Sequence, residues 1–146
     1  MIYYNQERGK EVTNMKNDDS IFTPDQIDAM YVNSLVDLIN ACRIAGVEVN
    51  KVCHFQNGWH VTFKGFEGAD AVCHDGSYGN PIYNRYFKAD KYHNDWAEHG
   101  NWETIGFPWD YNEVSVHSAQ ELALYISSLK NGTNIWKCAK DENEDY

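Results

Sequence analysis

The chain has 146 residues, is 42% hydrophobic, and carries a net charge of −10 from 22 acidic and 12 basic residues. This length gives room for one hydrophobic core, and the apolar content excludes wholesale disorder. The chain has no run of about 18 apolar residues that could cross a membrane, and its N-terminus lacks the apolar stretch of a signal peptide. We therefore expect a cytoplasmic domain. Its negative charge repels phosphate backbones, which argues against direct binding of nucleic acid.

The first predicted element is a helix that follows a polar N-terminal arm. Residues 1–20 are polar and are predicted to be flexible. Thr23 can then cap a helix, with Pro24 at its first position and Gln26 completing a capping box. Apolar residues recur at helical spacing as far as Gly46, a residue typical of a left-handed helix stop, so we expect the helix to end there.

Five strands are predicted between this helix and the next. In the first hairpin we favour a three-residue loop with Gly58 in the left-handed conformation, because it pairs Trp59 with Phe55 and gathers apolar side chains on one face. This register would leave His54 and His60 paired on the other face. The predicted strands are Val47–Phe55, Trp59–Lys64, Ala69–His74, Trp102–Phe107 and Glu113–His117.

A second capping box, from Ser118 to Glu121, predicts another helix, which we expect to end at Gly132. Residues 139–146 form an acidic tail that is predicted to be solvated. The order helix, antiparallel strands, helix predicts one α+β domain over residues 21–138. Its antiparallel sheet would have about four to five strands, flanked by the N-terminal and C-terminal helices.

The sequence contains no motif that names a reaction, and a non-enzymatic role is favoured. His54, His60 and His74 lie on three predicted strands and could converge on one sheet face, so a small metal-dependent hydrolase stays an alternative. Asp75 and Ser77 accompany His74, but adjacency in sequence is not the geometry of a catalytic triad. No catalytic residue, metal site or cofactor is therefore predicted.

A second alternative is the binding of a small ligand. Residues 76–101 form a long excursion rich in glycine, asparagine and tyrosine, and such an excursion within a compact domain is usually functional or partly helical. Arg85, with Tyr83 and Tyr86 beside it, could bind the phosphate and stack on the base of a signalling nucleotide. This cluster would make the protein a nucleotide sponge.

The favoured site is a protein-binding surface. No lysine or arginine occurs between Lys91 and Lys130, whereas aromatic and acidic residues are frequent there. Tyrosine and tryptophan dominate interface hot spots, and exposed carboxylates suit a basic groove. The residues predicted to bind a partner are Asp95, Glu98, Glu103, Asp110, Glu113, Trp96, Trp109 and Tyr111.

Four segments carry a resemblance to known proteins: GADAVCHD at 68–75, WETIGFPWD at 102–110, VSVH at 114–117 and ELA at 121–123. Over about residues 57–129 the chain resembles small acidic accessory proteins of phages and mobile elements of Gram-positive bacteria. Such proteins include anti-CRISPR proteins, several of which block Cas9 by imitating DNA. The resemblance implies a phage-encoded inhibitor whose carboxylates occupy phosphate positions in a host nucleic-acid-binding enzyme, a Cas9-like nuclease above all. The resemblance transfers no catalytic residue to this sequence. It does not decide whether the protein forms a homo-oligomer.

Overall fold

The computed structural model describes residues 22–82, 100–110, 112–133 and 135. The predicted flexible arm and acidic tail lie outside the described residues, and so does most of the 76–101 excursion. The proposed nucleotide cluster falls in this undescribed part as well. Its residues are Tyr83, Arg85 and Tyr86.

The described residues form an α+β fold, as predicted from the order of the elements. Helix α1 precedes one antiparallel five-stranded sheet whose strands neighbour one another in chain order, and helix α2 follows it. Neither helix is long and apolar enough to cross a membrane. The elements are α1 Pro24–Ala45, β1 Val49–Phe55, β2 Gly58–Phe63, β3 Asp70–Cys73, β4 Trp102–Ile105, β5 Ser115–His117 and α2 Ala119–Asn131.

Helix α1 begins and ends as its sequence predicts. The Thr23 hydroxyl accepts from the Gln26 amide at 3.1 Å, and the Gln26 side chain accepts from the Thr23 amide at 2.8 Å, so the capping box is complete. Gly46 ends the helix with a φ of 76°, in the left-handed region where glycine is not strained.

Only half of the second predicted capping box forms. The Ser118 hydroxyl caps α2 by accepting from the Glu121 amide at 3.1 Å. The Glu121 carboxylate, however, does not return to the Ser118 amide: it accepts from Tyr125 and bonds to His117. The prediction of a complete box was wrong because a histidine just before the helix competes for this carboxylate.

The core lies between the sheet and the two helices, which pack on the same sheet face, here called the inner face. Both helices and the three central strands contribute fully buried side chains to it. The largest of these are Tyr31, Leu38, Val61, Phe63, Trp102, Phe107, Leu122 and Ile126. Burial also raises the pKa of the Cys42 thiol to about 11 and that of the Cys73 thiol to about 12. These two thiols therefore act as small apolar side chains.

The register of the β1–β2 hairpin differs from the prediction. Phe55 pairs with Gly58 across a two-residue turn in which Gln56 and Asn57 both have positive φ, of 47° and 66°. Such a turn matches the twist of the strands, and the Asn57 side-chain amide donates to Asp75 at 2.8 Å. The three-residue loop was therefore the wrong choice.

Gly58 is needed in this hairpin for close approach and not for a left-handed conformation. A Cβ atom there would overlap the Cys73 carbonyl oxygen and lie 2.7 Å from the His74 Cα atom. The observed register also separates the two histidines, because His54 pairs with Trp59 and His60 pairs with Cys53. Alternate residues of a strand point to opposite faces of the sheet. His54 therefore lies on the inner face, and His60 lies on the outer face, which is the sheet face away from the helices.

Candidate functional site

The structure describes half of the residues predicted to bind a partner. Glu103, Asp110, Glu113 and Trp109 lie among the described residues, and Glu113 is exposed. The remaining four, Asp95, Trp96, Glu98 and Tyr111, lie outside them, so their part in a surface stays a prediction.

Asp110 is not at the surface, since only 5% of it is exposed. Its carboxylate accepts from the Phe107 amide at 2.9 Å, from the Ser115 hydroxyl at 2.7 Å, and from the Thr104 hydroxyl. These donors fix from within the connection over residues 106–114, here called the β4–β5 turn. The expectation that Asp110 faces a partner is corrected accordingly: its carboxylate is committed to the turn.

Trp109 also packs inside the protein. Its ring stacks on Phe107 with centroids 4.6 Å apart and meets the edge of Tyr125 at 5.2 Å. The side chain is partly buried against the core. Trp109 therefore extends the core at the end of the sheet, and we do not count it among the anchors of a docking surface.

Glu103 lies on the outer face, the sheet face away from the helices. Its carboxylate accepts from the Tyr78 amide at 2.8 Å. Burial raises the pKa of Glu103, the Tyr78 hydrogen bond opposes this shift, and the nearby Asp70 carboxylate adds to it. The two carboxylates are therefore close enough to repel each other.

Asp70 was not among the predicted site residues, yet it stands next to Glu103. Val72 pairs directly with Glu103, so Asp70 is its diagonal neighbour on the adjacent strand. Asp70 is 38% exposed and lies 3.0 Å from the His60 ring. Alternation along β3 places residues 70 and 72 on one face, so the sequence carried this signal once the strands were aligned.

The three histidines of the predicted sheet do not form a metal site with one another. His60 and His74 share the outer face, where burial, with a smaller effect of the nearby His60, lowers the pKa of His74. His54 lies on the opposite face, with its ring 5.0 Å from that of Trp59. Among the described residues no group of three or more potential metal ligands comes together. The convergence of these three histidines, which the sequence left open as an alternative, therefore does not occur.

A chain of hydrogen bonds that the sequence analysis missed crosses the inner face beside β5. The Ser115 hydroxyl oxygen lies 2.8 Å from Nε2 of His117, and Nδ1 of His117 lies 2.9 Å from the Glu121 carboxylate. Tyr125 donates to the same carboxylate at 3.2 Å. Part of the signal was present in the sequence, since residues 115 and 117 share a strand face, whereas the contact of His117 with Glu121 joins a strand to a helix and needed the tertiary structure.

The hydrogen-bond distances from Ser115 to His117 and from His117 to Glu121 are those of a serine–histidine–acid triad. A cavity of about 450 Å³ adjoins these three residues. The direction of the hydrogen bonds is different, however. Ser115 has one hydroxyl proton and donates it to the buried Asp110 carboxylate, so His117 has no proton to accept from it. We therefore assign these hydrogen bonds a structural role: they tie β5 to α2 and to the β4–β5 turn.

Charge is distributed unevenly over the described residues, which hold eleven acidic and four basic side chains. Three of the bases gather where the helices end. Lys130 donates to the Gly46 carbonyl at 2.8 Å, Lys64 lies 3.6 Å from Glu48, and Arg43 is in the last turn of α1. We call this region the basic end; its bases are Arg43, Lys64 and Lys130. The fourth base, Lys51, lies in β1.

Comparison with known proteins adds no relative to this description. No protein-family model matches the chain, and neither a curated protein nor a solved structure does.

Proposed function

We propose that this chain is a phage-encoded inhibitor that binds a host nucleic-acid enzyme, a Cas9-like CRISPR nuclease, in the cytoplasm of the bacterial cell. The carboxylates of Glu103 and Asp70 take the place of phosphates in the basic groove of the enzyme. One observation carries the proposal: these two carboxylates share the outer face of the sheet, while three of the four described bases gather at the basic end.

The geometry of the pair suits this role. Diagonal neighbours on adjacent strands are about 7–8 Å apart, which is comparable to the separation of successive phosphates along a nucleic-acid strand. The sheet fixes the backbone positions that carry the two side chains, so a partner has less to order on binding. Carboxylates presented in this way favour fast association with a basic groove, and this association weakens as salt screens the charges.

Apolar groups beside the carboxylates supply contact area. Tyr78 is 43% exposed, and Ile105, which pairs with Asp70, is 39% exposed. Tyrosine is among the residues that most often dominate the binding energy of an interface. Tyr78 therefore replaces Trp109 as the described aromatic anchor, next to the carboxylate that its own amide holds.

The test is binding to a guide-loaded Cas9-like nuclease, measured by biolayer interferometry between low and physiological salt, together with inhibition of DNA cleavage. The double variant Asp70→Asn/Glu103→Gln should bind at least about tenfold more weakly, since it removes two charge pairs from the interface. Burial already disfavours the ionised form of Glu103, so Glu103→Gln should not harm the fold.

The matched control is Glu48→Gln/Glu67→Gln, which changes the net charge equally but at the basic end. It should bind almost as the unmodified protein does. Equal losses in the two double variants would mean that only overall charge matters, and unchanged binding in both would exclude the outer face. No binding to such a nuclease at low salt would overturn the proposal altogether.

A further inference from the structure

Helix α1 has a second apolar face that the core does not use. Tyr31 and Leu38 are completely buried, whereas Val32, Val36 and Ile39 are 46%, 47% and 39% exposed. At about 3.6 residues per turn the three exposed side chains lie within roughly 60° of one another, on the side of the helix away from the core. A single exposed apolar residue is ordinary, but three aligned along one stripe form a patch that a partner can cover.

The charges at the two ends of this stripe are opposite. Asp28 continues the stripe towards the start of the helix, Arg43 continues it towards the end, and both are exposed. One point on the helix, next to Val36, lies midway between positions 28 and 43. The same point lies midway between positions 32 and 39. If a second α1 helix packs against this stripe in the opposite direction, the end that carries Arg43 therefore contacts the end of the first helix that carries Asp28. The apolar residues of the two helices then contact one another.

We propose that two copies of this chain associate through antiparallel packing of their α1 helices about a two-fold axis beside Val36. In this arrangement Asp28 faces Arg43 of the second copy at both ends, and Val32 faces Ile39 of the second copy. The contact between the charged ends spans about 22 Å along the helix. Such a self-complementary patch is what a two-fold interface requires.

The choice of a second copy rests on this complementarity. With a net charge of −10, two chains repel each other unless an opposite charge is placed at the contact. Arg43 supplies that charge, and it does so in register with the apolar residues. Three apolar side chains from each copy make a small interface, so we expect a weak and reversible dimer.

The first experiment measures the mass of the full chain by sedimentation equilibrium, from micromolar to about millimolar concentration at about 0.15 M salt, where the general repulsion is screened beyond about 8 Å. The average mass should rise from that of the monomer towards twice this value. Val36→Asp should weaken association at least about tenfold, because it places a charge at the centre of the interface. Leu124→Asp, on α2 at a side chain that is 54% exposed, is the control and should leave association unchanged.

The second experiment tests the antiparallel register by exchanging charges. Asp28→Arg and Arg43→Asp should each weaken association about tenfold, because each single change turns two symmetric attractions into repulsions. The double variant Asp28→Arg/Arg43→Asp should restore it to within about threefold. Circular dichroism checks that every variant is folded.

Three outcomes would overturn the proposal. These are a monomer at every concentration, equal effects of Val36→Asp and Leu124→Asp, and a double charge variant that stays as weak as the single ones.

Discussion

Asp110 shows how a residue that sequence places on a surface becomes an internal anchor. Three donors surround its carboxylate, one backbone amide and two hydroxyl groups. A buried carboxylate is tolerated only where such donors replace the lost water. The side chain that the charge pattern assigned to a partner therefore contributes to the stability of the turn.

We expect Asp110→Asn to lower the free energy of unfolding by about 2–3 kcal/mol, because an amide nitrogen would then face hydroxyl groups that need an acceptor. Urea unfolding followed by tryptophan fluorescence measures this change. Glu113→Gln, three residues along at an exposed position, is the control and should alter stability by no more than about 0.5 kcal/mol. Equal effects of the two changes would show that the carboxylate is not needed in the turn.

His74 predicts how stability depends on pH. Burial lowers the pKa of His74 in the folded protein, so the folded state binds fewer protons there than the unfolded chain does. Its destabilising contribution is absent well above the unfolded pKa of about 6.5, grows as the pH falls from there towards the lower folded pKa, and is complete below the folded pKa. We therefore expect His74→Asn to lose less stability than the unmodified protein as the pH falls from about 7.5 to 5.5.

Thermal unfolding at a series of pH values measures this difference. Between about pH 7.5 and 8.5 the histidine is neutral in both states, so the two proteins should keep a constant difference and this range acts as the internal control. Glu103 has a pKa shift of the opposite kind, because burial disfavours its ionised form and so raises its pKa. The cost of burying this charge disappears as the pH falls through the folded pKa. Parallel curves for the two proteins over the whole range would contradict the assignment to His74.

At the level of elements, the hairpin between β1 and β2 shows the limit of local prediction. The two strands and a tight turn were recognisable from alternating apolar residues, but the predicted loop was one residue too long, because it included Gly58, which belongs to β2. The deciding contact comes from β3, whose Cys73 carbonyl oxygen lies where a side chain at position 58 would be. A rule that considers only the hairpin cannot include this contact.

Gly58→Ala should therefore destabilise the protein by about 3 kcal/mol, because the added methyl group meets backbone atoms of β3 that cannot move aside. Gly68→Ala, at an exposed glycine with no heavy atom within 4 Å of the added carbon, should change stability by no more than about 1 kcal/mol. Chemical unfolding of both variants measures the contrast. If both changes have the same effect, then close approach to β3 is not the reason for glycine at position 58.

The helices were more predictable than the strands because their signals are local. Thr23, Gln26 and Gly46 act on neighbouring backbone groups, and each does in the structure what its position predicts. Glu121 departs from this rule only in its side chain, which bonds to His117. When the side chain of a capping residue has a second hydrogen-bond partner within reach, the geometry of the site decides which hydrogen bond forms.

At the scale of the whole molecule, the excess of negative charge predicts that salt stabilises the fold. The described residues alone carry eleven acids against four bases, and unpaired like charges repel one another more strongly in the folded state than in an expanded chain. Raising sodium chloride from about 10 to 150 mM shortens the screening length from about 30 to 8 Å. We therefore expect the melting temperature to rise by a few degrees.

Differential scanning calorimetry over this salt range measures the rise. The variant Glu67→Gln/Glu113→Gln removes two exposed charges and should show a smaller rise, which distinguishes screening from a general effect of the salt. A melting temperature that falls with salt would mean that attractive ion pairs, such as that of Lys64 with Glu48, outweigh the repulsion.

The sequence by itself determined the fold class, both helices with their ends, and the existence of five strands, because caps, spacing and alternation act over a few residues. It also determined the excess of acid. Only the tertiary structure decided where that acid lies: it buried Asp110, whose carboxylate accepts from Ser115, and it placed Asp70 beside Glu103 on the outer face. The physical reason is that burial and register depend on contacts between residues far apart in the chain. The surface from which we infer function is therefore a product of strand pairing.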